Sequence, residues 1–337
     1  MYAGNWQDNS SLCRTVSKNV LDLQRIEELV VDELDRVAIE HLSQLSTLKY
    51  LRLATPHLQH SLLLPHSSSL VDPAFPALRA VDFDETTVDI VIHFLELLSK
   101  CGLIRLCVGI MVPATTFATG QLYSSLRSHL SHSALQTLRV DVAENHEMFT
   151  PPATMIAHYV INRDVLATLF CFTNLTEVSL SPPVGFDIDD ATAWDLARAW
   201  PRLTSLYLGT ATELQYPSSM TLGGLRAFAT HCKDLNNLVI AFNASTVPPI
   251  DNSSIISQSS LILLDTNKSP INDPVAVARF ISALFPNLAI IHTYLDWIIE
   301  QPAGEDEDDE AAQARLLSAR WKEVESKLPG KQKWFFV

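Results

Sequence analysis

Residues 232–240 read Cys232-Lys233-Asp234-Leu235-Asn236-Asn237-Leu238-Val239-Ile240, with an apolar step at Leu235, Leu238 and Ile240. The last two are two residues apart, so in a strand both point to one face. The first, three residues earlier, turns into the interior as the chain enters the strand. Working upstream, the same step recurs as Leu203-Leu206-Leu208, Leu175-Val178-Leu180, Leu135-Leu138-Val140, Leu103-Leu106-Val108, Leu78-Val81-Phe83 and Leu48-Leu51-Leu53. Weaker copies stand at Ile26-Leu29-Val31, Leu261-Leu264-Thr266 and Leu288-Ile291-Thr293, which makes ten, with starts 22 to 40 residues apart.

Between the steps lie helix-spaced apolar stripes: Ile90, Phe94, Leu97 and Leu98; Trp194, Leu196 and Ala197; Val277, Phe280, Ile281 and Leu284. An aromatic-Pro-x-Leu junction precedes three of the steps, at Phe75-Pro76-Ala77-Leu78, Trp200-Pro201-Arg202-Leu203 and Phe285-Pro286-Asn287-Leu288. The aromatic closes the buried face of a helix, Pro forbids another turn, and Leu begins the next strand. Phe172-Thr173-Asn174-Leu175 repeats it without Pro. Leu-rich α/β proteins give such steps by chance, but seven clean copies in order, three with matched junctions, do not fit chance. Strand and helix alternating at this period, each unit unable to bury its own face, define an α/β leucine-rich-repeat solenoid. The expected form is a horseshoe with about ten parallel strands on the concave face and helices on the convex face. Asn243 stands where such repeats often place Asn or Cys. The long interval before Leu175 is expected to hold an extra helix within Tyr159 to Phe172, and Ala244 to Ser260, rich in Ser, Pro and Asn, an extended loop.

The sequence divides into an N-terminal cap or remnant (1–25), the irregular solenoid (26–300), an acidic linker (301–310) and a capping helix with its tail (311–337). An open solenoid exposes its terminal core unless capped. Leu317, Trp321, Val324 and Leu328, stopped by Pro329-Gly330, make the C-terminal stripe; Leu12, Val16, Val20 and Leu23 suggest a helix over the first strand.

Apolar residues make up 47% of the 337, which supports a large core and argues against disorder. Lys plus Arg number 24 against 38 Asp plus Glu, a formal charge of −14, opposite to what phosphate contacts need, so no nucleic-acid partner is expected. Glu305 to Glu310 (EDEDDE) read as a solvated linker. No apolar run is long enough to span a membrane, and no membrane partner is expected. The N-terminus lacks a signal-peptide pattern. Five scattered cysteines read as reduced thiols, so the expected location is cytoplasmic or nuclear.

Motifs for catalysis are mostly missing from the sequence. No GxGxxG, GxxxxGK[ST] or GxSxG occurs among only 10 glycines. His146-Glu147 starts an HExxH-like string that ends at Thr150. His57/His60 and His129/His132 have HxxH spacing, with His66 as the sole nearby third ligand, and read as exposed histidines. Asp187, Asp189 and Asp190 read as carboxylates at a helix N-terminus. The expectation is a noncatalytic chain with no cofactor and no metal. What remains is surface. In this register Tyr50, Arg52, Asp82, Arg105, Arg139, Glu177, Tyr207, Val239, Leu263 and Tyr294 face the concave side and are the candidate contacts to an unknown protein ligand. Exposed Tyr beside apolar neighbours is what interface anchors look like.

Over most of residues 26–328 the pattern resembles the leucine-rich-repeat region of fungal F-box proteins. Phe75-Pro76-Ala77-Leu78-Arg79, Trp200-Pro201-Arg202-Leu203-Thr204-Ser205-Leu206, Leu222-Gly223-Gly224-Leu225 leading to His231-Cys232-Lys233-Asp234-Leu235, Phe280 to Leu288, and Arg320-Trp321-Lys322-Glu323-Val324-Glu325 carry the likeness. The resemblance implies selection of substrates for a cullin–RING ubiquitin ligase, with an N-terminal F-box docking the ligase adaptor. No Leu-Pro-x-Glu F-box opening precedes the repeats here. An adaptor is therefore expected as a partner only if an F-box lies upstream; the alternative is a stand-alone scaffold or inhibitor with no ligase role.

Overall fold

Each of the ten apolar steps becomes a strand, because its two in-phase side chains need the same covered face. The computed structural model describes residues 10–54, 74–98, 101–142, 149, 151–211, 215–249, 256–293 and 309–330. The chain forms two compact units, 1–147 and 148–337. The first contains α1 (Ser10–Leu21), β1 (Glu28–Val31), α2 (Arg36–Ser43), β2 (Tyr50–Leu53), β3 (Ala80–Thr86), α3 (Val88–Leu97), β4 (Arg105–Ile110), α4 (Thr116–His129) and β5 (Thr137–Val142). The second contains β6 (Ile161–Asn162), α5 (Arg163–Ala167), β7 (Glu177–Ser181), β8 (Phe186–Asp187), α6 (Asp190–Ala199), β9 (Ser205–Leu208), α7 (Leu225–His231) and β10 (Asn237–Ile240). It continues with β11 (Leu263–Asp265), α8 (Pro274–Leu284), β12 (Ile290–His292) and α9 (Asp309–Ser326).

In the first unit β1 to β5 pair in chain order, all parallel. In the second, β7, β9, β10, β11 and β12 do the same, while β6 and β8 form a separate parallel pair. The register aligns the middle residue of every step: Leu29, Leu51, Val81, Leu106 and Leu138 are successive partners. Val178, Leu206, Leu238, Leu264 and Ile291 are their counterparts in the second unit. All ten are buried, most with no solvent exposure.

One backbone device repeats and fixes that register. A carbonyl just before or at the start of one strand accepts two successive N–H groups from the next, using both of its lone pairs. The Glu27 carbonyl takes Lys49 and Tyr50 at 2.7 and 3.1 Å; the Thr204 carbonyl takes Asn236 and Asn237 at 2.8 and 3.3 Å. The Ile262 carbonyl takes Ala289 and Ile290, both at 3.1 Å. A second device is the turn into each strand. Leu78, Leu203 and Leu288 donate their N–H to the carbonyls of Phe75, Trp200 and Phe285, three residues back. Leu175 and Leu235 do the same to Phe172 and Cys232, so Pro is not required for the turn. Trp200 and Phe285 are the C-caps of α6 and α8, as the junction predicts. Phe75 differs: it has φ +54 and its N–H bonds the Ser43 carbonyl at the end of α2.

Three details refine the expectation. Asn243 does not enter the interior; it is exposed and its side-chain oxygen accepts the Ser245 N–H, while Phe242 takes the buried position. The extra helix before Leu175 is short, the five residues of α5, preceded by a 3-10 turn at Ala153–His158. The N-terminal helix forms, but it packs against α2, with Val20 buried and Val16 and Leu23 only half-buried. The side chain of Leu12 lies outside the described residues. Gly109 in β4 sits beside a register shift in β3 between Phe83 and Thr86, and a Cβ there would overlap the Asp84 carbonyl.

Candidate functional site

Alternation along the strands leaves one side of each sheet open, and the register sorts its side chains into rows. In the first unit one row runs Glu28, Tyr50, Ala80, Arg105, Thr137, and the next Val30, Arg52, Asp82, Cys107, Arg139. In the second unit the rows run Glu177, Ser205, Asn237, Leu263, Ile290 and Ser179, Tyr207, Val239, Asp265, His292. Nine of the ten candidate contacts therefore fall on these rows. Tyr294 lies outside the described residues. Val30, 59% exposed, and Cys107 also belong to the rows, though the candidate set omits both.

The first unit's rows are held by a polar network that no single repeat contains. Tyr50 donates its hydroxyl to Asp82 Oδ2 at 2.8 Å, and Arg105 reaches the same oxygen at 3.0 Å. Asp82 is only 6% exposed, so it serves as the buried centre of this network. Arg52 engages both oxygens of Asp84, at 3.1 and 2.8 Å. Both partners of that pair are substantially exposed, so it is worth about 0.2–1 kcal/mol. Arg105 also donates from Nε to Cys107 Sγ at 3.3 Å. Burial, then the hydrogen bond to Asp82, raises the Tyr50 phenol above its ordinary range. Burial likewise raises the Cys107 thiol, and the neighbouring Arg105 only partly opposes it. Cys107 therefore remains a thiol at neutral pH. Glu177, Tyr207, Val239 and Leu263 are half-buried, and Arg139 is exposed.

Among the described residues no group of three His, Cys, Asp or Glu could hold an ion. His132 is exposed and its Nε2 lies 2.8 Å from the Arg127 carbonyl, whereas His129 is half-buried at the end of α4, where burial lowers its pKa. His57, His60, His66, His146 and Glu147 lie outside the described residues. Asp189 caps α6 through the Thr192 N–H at 2.7 Å. Asp190 instead bonds the Thr221 N–H and hydroxyl, both at 2.7 Å, clasping the repeat that follows. Among the described residues no helix is long and apolar enough to cross a membrane.

In-register parallel strands alternating with helices, closed by one recurrent turn, make this chain an α/β leucine-rich-repeat solenoid. No family model matches it, and no curated protein matches it. Solved structures similar to it include the following two. A complex of Rad7 and Elc1 from yeast aligns over 83% of this chain and 81% of its own, at 14% identity and a TM-score of 0.31. An internalin from Listeria monocytogenes aligns over 82% and 84%, at 15% identity and a TM-score of 0.32.

Proposed function

We propose that this chain is a protein-binding solenoid whose open strand face receives another protein, in the manner of the substrate-recognition part of an F-box ubiquitin-ligase subunit. The observation that carries the first part is the pair of in-register rows on each sheet. Tyr50, Arg52, Arg105 and Arg139 in one unit, and Glu177, Tyr207, Val239 and Leu263 in the other, are held by paired backbones. Little backbone ordering entropy then remains to be lost on binding. Tyr and Arg are also the residues that most often dominate binding energy. Asp82 contributes as the anchor of Tyr50 and Arg105. The ligase connection rests on the sequence resemblance alone.

The test is capture of a partner by the native protein, its identification, and titration with the purified partner. Tyr207→Ala with Val239→Asp is expected to weaken binding by at least about 30-fold, the loss typical of two anchor positions, with an unchanged far-UV circular dichroism spectrum. Unchanged affinity would remove the strand face as the interface. Co-purification of a ligase adaptor supports the ligase role; a partner bound with no adaptor supports a scaffold or inhibitor.

A further inference from the structure

β1 is the first strand of its sheet and pairs with β2 along one side. On that side the Glu27 carbonyl accepts the Lys49 and Tyr50 N–H groups, and the Val31 carbonyl accepts that of Ala54. Backbone groups alternate between the two edges of a strand, so the N–H and C=O of Glu28 and Val30 point to the other edge. Among the described residues no backbone group pairs with them. Glu28 is exposed and Val30 is 59% exposed, so both stand in solvent. The edge at β12 is built differently. There α9 packs against the strand, and the outward-pointing residue, Ile291, is 1% exposed. Beside β1 the terminal helix α1 packs against α2 instead.

The side chains along this edge select a partner. Glu28, Val30 and Asp32, which follows the strand, are all exposed and run acidic, apolar, acidic at every second position. Glu27 is already taken by Lys49 at 2.7 Å. Across paired strands opposite charges stabilise and like charges directly opposite destabilise. A second copy pairing antiparallel about Val30 sets Glu28 against Asp32, acid on acid. A strand with a basic residue on each side of an apolar one meets the pattern instead, and does so in either direction, because the pattern reads the same both ways.

We propose that the open edge of β1 takes up an extended segment of another protein, a basic-x-apolar-x-basic strand that pairs with the main chain of Glu28 and Val30. The edge can take this strand whether or not the face beside it receives a protein. The probe is the synthetic peptide Thr-Lys-Thr-Val-Thr-Lys-Thr, and its counterpart carries Glu in place of both Lys. By fluorescence anisotropy the Lys peptide should bind the full chain saturably and the Glu peptide should not. Amide hydrogen exchange at Glu28 and Val30 should slow as it binds. Glu28→Lys with Asp32→Lys, both at exposed positions, should weaken the Lys peptide at least about tenfold and admit the Glu peptide, because two opposite-charge pairs become like-charge ones. No saturable binding, equal affinity in the double variant, or binding that leaves the Val30 amide unprotected would overturn the proposal. Slow Val30 exchange before any peptide is added would overturn it too, since a second copy or another part of the chain would then already pair the edge.

Discussion

Gln258 does with a side chain what other repeats do with the main chain. It stands three residues before Leu261, the place held by Phe172 before Leu175, Trp200 before Leu203 and Phe285 before Leu288. There the leucine N–H finds a backbone carbonyl; here the Leu261 N–H finds Gln258 Oε1 at 2.9 Å. The Nε2 donates to the carbonyls of Leu235 and Cys232, at 2.7 and 3.2 Å, and the residue is 3% exposed. Gln258→Leu keeps the volume but strands the Leu261 N–H and the Leu235 carbonyl, at about 1–3 kcal/mol for each unsatisfied group. A urea-denaturation midpoint well below wild type, with unchanged slope, is expected; a neutral result would mean the loop relaxes onto water. Cys232 is a second case. Burial pushes its thiol up from 9.0 to about 12. The folded state then holds the proton more tightly than the unfolded one, so its contribution to stability is complete below pH 9 and declines as pH rises from 9 toward 12. Cys232→Ala should flatten that decline in stability measured across the same range.

At the scale of elements, α9 packs against α8 and β12, the last helix and strand before it. Ala314, Ser318, Trp321 and Val324 are its buried positions, and Leu328, just beyond its end, is buried too. The apolar count places Leu317 on the stripe, yet Leu317 is only half-buried and Ser318 is fully buried. Small residues at 314 and 318 form the packed side there, and a count of large apolar residues cannot see them. Trp321 donates its Nε1–H to the Ser269 carbonyl at 2.9 Å and meets Phe242 edge-on at 5.8 Å. Beyond the helix, a Cβ on Gly330 would overlap the Leu288 and Asn287 carbonyls, so the chain presses against the last repeat. Trp321→Ala is expected to cost about 3–5 kcal/mol, the range for a large buried aromatic, read as a lowered Tm. Trp321→Phe should lose distinctly less, since it keeps most of the buried area and forfeits the hydrogen bond. Equal losses for the two would show that the indole N–H, not packing, secures α9.

At the scale of the whole molecule, the strands were legible because their cause is local. An inward side chain every second residue, preceded by an anchor three residues earlier, dictates a strand and its buried face wherever it occurs, and all ten steps obey it, including the weak ones at Leu29, Leu264 and Ile291. The rows of candidate contacts were legible for the same reason, since alternation sets which residues face outward. What those residues do to one another was not. Tyr50 and Asp82 are 32 positions apart, and Asp190 and Thr221 are 31 apart. Whether Asp82 is an open charge or the buried centre of a network depends on which strands lie beside it and in what register. The replacement of a turn carbonyl by Gln258 is likewise a product of packing between segments. Periodicity is a property of a short stretch and survives in one dimension; the partner of a buried polar group is chosen by distance in three, and only the folded chain measures that.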